Sequence, residues 1–429
     1  MSQDRNAPLS ITACGYYVIL RDWLASDVEP FIRWLSQGEW RLLDAPWEGY
    51  RSETTPEQAE RDREWFAKQL EDEDRTWLKR RAVIATASNV PLGWVSRYGE
   101  KENPHVCKVG IAICEDAYLN RGLGTEALRL WVNHIFDTTD VHKVALDTWS
   151  FNPRMIRVAE KAGFVHEGCQ REIREWQGEW LDLVHFGILR EEWEERRGGG
   201  EVEQPERMGP FFDDKAAGYD EYIRGNIFPD EMFAQYYQDV SSPIEPTSEP
   251  IRVLDLGCGT GLEINALLQR APNARITGID LAEGMLDLLR ARYADHMDQI
   301  TLVVDSFLTV PLGTQEYDYA LSTMSMHHVL HETKLALYKK IHAALKPGAK
   351  YVEGDSVVPA VLEPLFLDEY YKDAADLSPE VEGQYHIDIP FSLETQRALL
   401  LEAGFKDFEV LWQKDPEVSW NAAVYVVTA

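Results

Sequence analysis

The sequence predicts two α/β domains. A mixed, mostly antiparallel sheet with helices occupies residues 1–195, a doubly wound sheet occupies residues 211–429, and residues 196–210 form a flexible linker. Three observations predict this. The stretch RRGGGEVEQPERMGP, Arg196 to Pro210, holds three consecutive glycines and no apolar period, as a linker does. Ahead of it, several short strand-like runs follow one another, whereas behind it apolar strands alternate with helices. Finally, 429 residues with 45% hydrophobic content exceed one ordinary core yet supply apolar surface for two.

The first half opens with a strand at YYVILRD and a helix at SDVEPFIRWL, where Ser26 and Glu29 have the spacing of a capping box. Thr55 and Pro56 suit the cap and first position of a second helix. The runs RRAVIAT, PLGWVSRYG and HVCKVGIAI read as an antiparallel meander. The run VGIAICEDAYLNRGLGTEALRLWVNHIF then passes from a strand ending near Ile113 into a glycine turn. A helix starts there around Gly122, with Leu128, Trp131, Val132 and Ile135 on one face. Glycines at a helix start let a ligand reach unpaired N–H groups, and the helix dipole favours a phosphate. Tight packing alone is the competing explanation. KVALDTWSFNPRMIRVAEKAGF adds a strand, an Asn-Pro helix start and a helix, and REIREWQGEWLDLVHFGIL closes a hairpin over Gln177-Gly178.

Through GLGTEAL, NPRMIRVAEKAGF and the closing hairpin, in that order, the segment Tyr16 to Trp193 resembles the GNAT family of acetyl-CoA-dependent N-acetyltransferases. Its nearest likeness is to the subgroup acting on ribosomal-protein N-termini, polyamines and antibiotics. The resemblance implies that the amides of Arg121, Gly122, Leu123, Gly124 and Thr125 hold the cofactor's pyrophosphate. It likewise implies that Ile111 and Ile113 bond the pantetheine arm and that Asn152 contacts acetyl-CoA. Two positions depart from the family pattern: Leu119 stands where Gln or Arg is usual, and Ala159 where many relatives carry a proton-donating tyrosine. Glu115 and Asp116, just past the strand, are candidate bases for deprotonating an amine, or simply solvated carboxylates. Trp40, Asp44, Trp47 and Glu48 combine aromatic faces with acids, which suits a bound ammonium group, although the tryptophans could equally be core anchors. His105, His134 and His142 are read as structural.

In the second half, FFDDKAAGYDEYIRGNIF and DEMFAQYYQDV precede IRVLDLGCGTGLEINALLQ, a buried strand, a glycine turn and a helix. The next strand ends at Asp280, placed to bond ribose hydroxyls. A dinucleotide enzyme competes for this pattern. However, the glycines are Gly257, Gly259 and Gly261, preceded by Asp255, an acid that repels a pyrophosphate and attracts a sulfonium or amino group. From Phe211 to Thr428 the chain resembles the class I S-adenosylmethionine-dependent methyltransferases, whose fold is Rossmann-like. By that resemblance Asp305 and Ser306 read the adenine amino group, Leu281 and Met285 flank the adenine, Met324 lies near the methionine part, and Tyr219 covers the sulfonium. Candidate bases or acceptor contacts are His327, His328, Glu353 and Asp355, with His386 in the variable acceptor region.

Charge bounds the partners. Residues 1–200 hold 26 basic and 34 acidic side chains, and the remainder holds 17 and 39. So acidic a second half argues against nucleic acid and for a cationic or neutral small substrate. Five scattered cysteines without a ligand cluster predict reduced thiols and no structural metal. The start lacks a signal layout and no run is long enough to span a membrane, so a cytoplasmic protein with no membrane partner is expected. The expected function is bifunctional: acetylation of an amine (small molecule, polyamine, antibiotic or peptide N-terminus) and methylation of a small molecule. The alternative is an active methyltransferase carrying its other half as a binding or regulatory module. The sequence leaves the acceptors and the oligomeric state open.

Overall fold

The computed structural model describes residues 10–48, 51–71, 80–99, 103–196, 206–228, 230–373, 385–416 and 418–429. The chain divides into two units, 1–202 with 417–419 and 203–416 with 420–429. Of the stretch read as linker, Arg196 closes a helix and Met208 opens another. Those residues are therefore not linker, because each end has turned helical. Residues 197–205 lie outside the described residues.

The first unit runs β1 (Ile11–Cys14), β2 (Val18–Arg21), α1 (Val28–Trp34), α2 (Trp40–Leu43), α3 (Pro56–Glu71), β3 (Arg81–Thr86), β4 (Pro91–Tyr98) and β5 (Val106–Ile113). It continues through α4 (Leu123–Thr138), β6 (Lys143–Trp149), α5 (Pro153–Ala162), β7 (Val165–Trp176), β8 (Glu179–Leu189) and α6 (Arg190–Arg196). The sheet order is β1-β2-β3-β4-β5-β6-β8-β7. Neighbours are antiparallel except β5 and β6, which pair in parallel only from Val106 to Lys108 and then part. Opposite that gap, β4 and β5 stay paired to Ile113 because Gly93 has no side chain; a Cβ there would sit 1.9 Å from the Ala112 carbonyl oxygen. Thr55 and Gln58 form the reciprocal cap of α3, and Gln177 and Gly178 turn the last hairpin at φ 52° and 86°. The Ser26–Glu29 cap does not form. Asp27 instead accepts from Leu24 N–H and from the buried Arg21 guanidinium, and Glu29 pairs with Arg63. Satisfying a buried arginine outweighs a surface cap.

The second unit opens with α7 (Met208–Lys215), α8 (Tyr219–Tyr222) and α9 (Asp230–Ser241). β9 (Arg252–Leu256), α10 (Ile264–Arg270), β10 (Arg275–Asp280), α11 (Glu283–Arg292), β11 (Ile300–Val304), β12 (Tyr317–Thr323), α12 (His331–Ala344) and β13 (Leu345–Val357) follow. The unit ends with α13 (Glu363–Asp373), α14 (Leu393–Glu402), β14 (Lys406–Gln413) and β15 (Asn421–Thr428). The sheet order β11-β10-β9-β12-β13-β15-β14 is parallel through β13 and antiparallel at β15 and β14. The order reverses beside β9, and there the carboxyl ends of β9 and β12 leave a crevice.

Candidate active sites

In the first unit the parting of β5 and β6 opens a cleft of about 390 Å³. Cys114 N–H bonds the Leu92 carbonyl on the β4 side, so by strand alternation the amides of Ile113 and Ile111 face the open gap. Both residues line the cleft, as do Gly122, Leu123, Gly124, Thr125 and Asn152. The cleft meets the start of α4, where Gly122 adopts φ +85° and Thr125 N–H returns to the Gly122 carbonyl. The amides before Thr125 have no helical acceptor. Packing does not demand glycine at Gly124, because a Cβ there would meet Ile113 and Val158 at an ordinary 3.7 and 3.9 Å. At Gly122 it would meet nothing within 4 Å. These residues form a cradle that a side chain would occupy, and they fit a pyrophosphate.

Other expectations change. Arg121 does not line the cleft, since its guanidinium lies over the Tyr118 ring, 5.2 Å from the centroid. Asn152 lines it, but its amide is engaged at both ends, capping α5 at Met155 N–H and donating to the Leu43 carbonyl. Glu115 and Asp116 are not in the cleft. Glu115 is held by Arg33 and the Trp34 indole N–H, and Asp116 accepts from Glu39 N–H at 2.8 Å. Both carboxylates anchor the chain between α1 and α2, which leaves them poorly placed as bases. Trp40 and Asp44 line the cleft. Trp47 instead packs edge-on against Trp149 and Trp176 under the Arg174 guanidinium. Glu48's side chain lies outside what is described. Ala159, within α5, is fully buried and offers no hydroxyl.

A group the sequence reading missed stands where β5 and β6 part. Asp147, which lines the cleft, accepts from Lys108 Nζ at 2.7 Å and meets His185 Nδ1 at 2.6 Å. Burial raises the Asp147 carboxyl, and the bonds from Lys108 and His185 outweigh it, holding the group below the usual carboxylate range. Tyr98 lines the same cleft, its hydroxyl pushed up to about 12 by burial and by the charges of Asp147 and Asp44.

In the second unit the chain leaves β9 through Gly257, Gly259 and Gly261, all at positive φ. They serve different ends. A Cβ at Gly261 would press on Ile264, Leu289 and Tyr293 at 3.0 Å, so that glycine serves packing. At Gly257 it would collide with Ser325, whereas at Gly259 it would meet nothing within 4 Å. Asp280, at the end of β10, accepts from Gly259 N–H at 2.8 Å and Ala282 N–H at 2.9 Å, and burial still raises its carboxyl. A narrow cavity of about 70 Å³ lies over this loop. Gly257, Gly259, Asp280, Leu281, Met285, Ser306 and Met324 line it, Met208, Phe212 and Tyr219 lie along it, and His328 forms part of its wall. Met324 holds a left-handed φ of 47°, a strained backbone of the kind that collects at ligand sites. Asp255 is fully buried behind the loop with neither carboxylate oxygen hydrogen-bonded. Burial and the neighbouring Glu263 charge hold its carboxyl well above the usual range. Asp255 does not line the cavity, so the fit to a nucleoside cofactor rests on Asp280 and the bare backbone at Gly259. A ligand of that size requires the lining side chains of α7 and α8 to shift.

Seven expected residues lie outside this cavity: Asp255, Gly261, Asp305, His327, Glu353, Asp355 and His386. Asp305 turns back to Ser306 N–H. Glu353 is fully buried and accepts from the hydroxyls of Tyr338, Tyr351 and Tyr425. It is a structural hub, saturated with donors, and not a base. Asp355 accepts from Met326 N–H, Ser356 N–H and His327 Nδ1, so it orients the histidine. His386 stacks on Phe211 with centroids 3.8 Å apart.

Comparison with known proteins agrees with this geometry. Residues 18–165 match the family model of the acetyltransferase (GNAT) domain, and residues 253–348 match that of a methyltransferase domain. The chain is 29% identical over 143 residues to an SPbeta prophage-derived uncharacterized N-acetyltransferase of Bacillus subtilis, covering 33% of this chain and 77% of that protein. It is 30% identical over 170 residues to erythromycin 3''-O-methyltransferase of Saccharopolyspora erythraea, covering 39% and 55%. Over 103 residues it is 34% identical to the biotin biosynthesis bifunctional protein BioHC of Teredinibacter turnerae, covering 22% and 18%. The chain thus spans about half the length of the second relative and under a fifth of the third.

Proposed function

Because the chain joins an acetyltransferase (GNAT) domain to a methyltransferase domain, we propose that it is a two-site transferase. The first unit acetylates an amine with acetyl-CoA, and the second methylates a small molecule with S-adenosylmethionine. One observation carries this reading. Each unit keeps a left-handed glycine beside its cleft, Gly122 and Gly259, where an added Cβ would touch no protein atom within 4 Å. Backbone is left bare where a ligand must approach it.

Acetyl-CoA supplies an acetyl thioester, and S-adenosylmethionine a methyl group on a sulfonium. In the first unit the amides of Gly122, Leu123 and Gly124 hold the pyrophosphate; the Thr125 N–H, given to the Gly122 carbonyl, does not. The Ile111 and Ile113 amides, facing the gap, hold the arm and stabilise negative charge developing beside it. Asp44 and Asp147, with Trp40 and Tyr98, give the cleft carboxylates and aromatic faces, which supports a cationic amine as acceptor. His185 does not itself line the cleft but is bonded through Nδ1 to Asp147, which does; reached through that carboxylate, it replaces Glu115 and Asp116 as the candidate base. In the second unit Asp280 binds the ribose, Leu281 and Met285 flank the base, and Ser306 and Met324 complete the cofactor wall. The second reading, a first unit that binds without transferring, is favoured by Ala159, which leaves the usual tyrosine position without a proton donor.

Mass spectrometry of an amine library incubated with both cofactors tests the proposal. Acetylated and methylated products support two active sites, and both groups on one molecule indicate a shared substrate. Methylation alone supports the second reading, and no product of either kind overturns both.

A further inference from the structure

Where β12 gives way to α12, two histidines and an aspartate meet beside the methyltransferase cavity. Asp388 Oδ1 lies 3.2 Å from His328 Nδ1 and 3.6 Å from His327 Nε2, and a third imidazole, His386 Nε2, is 3.8 Å away. This oxygen is buried, and His328 Nδ1 is shared between it and the Ile387 carbonyl at 3.3 Å. The His327 Nδ1–H is already given to Asp355 at 2.5 Å, and Asp355 is itself fixed by Met326 N–H and Ser356 N–H. Nε2 is therefore the ring nitrogen left turned toward the Asp388 carboxylate.

We propose that His327, His328 and Asp388 bind a divalent transition-metal ion of the zinc class. One ligand atom from each lies within 4.8 Å of the other two. Tetrahedral bonds of zinc length set donors about 3.4 Å apart, which the 3.2 and 3.6 Å separations bracket. Two imidazoles and one carboxylate select zinc-like ions over magnesium or calcium, which prefer all-oxygen sets. Asp355 supplies the outer partner that fixes the His327 tautomer with Nε2 toward the ion. Three protein ligands leave a fourth position, and His328 also lines the cavity. The ion thus shares the cavity wall, where an oxygen or nitrogen donor of an acceptor molecule can complete its coordination.

The test does not depend on methyl transfer. The full chain, stripped with EDTA, is titrated with Co²⁺ while the visible d–d bands are recorded, and Zn²⁺ is then added to displace it. Saturable, equimolar uptake with tetrahedral Co²⁺ bands is expected. Asp388→Asn and His328→Ala should each weaken binding at least ~10-fold, and Asp355→Asn by ~10–100-fold. Asp388, with a side chain 37% exposed, is the variant least able to disturb folding, and it decides the matter should His328→Ala unfold. No saturable uptake by the unmodified chain, or unchanged affinity in Asp388→Asn, overturns the proposal.

Discussion

Replacing Gly124 with alanine separates a glycine kept for a ligand from one kept for the fold. The new methyl meets Ile113 and Val158 at 3.7 and 3.9 Å, and φ at this position is not left-handed. The protein therefore accommodates it, and helix preference for alanine contributes ~0.5–1 kcal/mol of stability. For a unit of this size that raises Tm by ~1–4 °C. Acetyl-CoA, in contrast, must bring an anionic oxygen to within hydrogen-bond distance of these amides, and a methyl in that path weakens binding at least ~10-fold, or ~1.4 kcal/mol. Gly122→Ala is the control of opposite sign. It meets no atom but sits at φ +85°, so it lowers stability by ~1–2 kcal/mol. Scanning calorimetry of the full chain reads the first change, and titration calorimetry with acetyl-CoA reads the second. A Gly124→Ala protein that binds acetyl-CoA as tightly as the parent, or melts several degrees lower, refutes the reasoning.

Three further outcomes follow from particular contacts. Glu353→Gln removes the charge facing the buried Lys334, 3.5 Å away. It should cost ~3–5 kcal/mol in denaturant unfolding, the mark of a hub rather than a base. The Asp147 carboxyl is held below its ordinary range, so its stabilising contribution is fully present above an unfolded pKa of ~3.9 and lost as pH falls through the folded value. The stability gap between the parent and Asp147→Asn should therefore be full at neutral pH and close below about pH 4, as followed by urea melts; a constant gap contradicts it. His185→Gln should lower amine acetylation by ~10²–10⁴ in kcat/KM; an unchanged kcat/KM excludes it as the base.

Much of the architecture was legible because it is local. The Thr55 cap, the Gln177-Gly178 turn, the glycine loops at Gly122 and Gly257, and the acid ending β10 each rest on neighbouring residues. Contacts set by register or by packing between elements were not legible. Asp147 and His185 become partners only through the antiparallel pairing of β6 and β8, and no spacing along the chain signals it. Glu353 has the position of a catalytic acid at a strand end. What disarms it is three tyrosines delivered by α12, β13 and β15, two on other elements. Glu115 was misread for the same reason, since Arg33 and Trp34 reach it from α1. The His327–Asp355 bond was nearly visible, with both residues singled out, but Asp388 joins them only in the folded chain, far from both in sequence.

The central claim is that one chain carries two separate cofactor sites, each built on its own glycine loop. Titration calorimetry of the parent, Gly124→Ala and Asp280→Ala with both cofactors tests it most directly. The parent should bind acetyl-CoA and S-adenosylmethionine, Gly124→Ala should lose only the first, and Asp280→Ala only the second. A parent that fails to bind either cofactor, or a substitution in one unit that abolishes binding in the other, contradicts it.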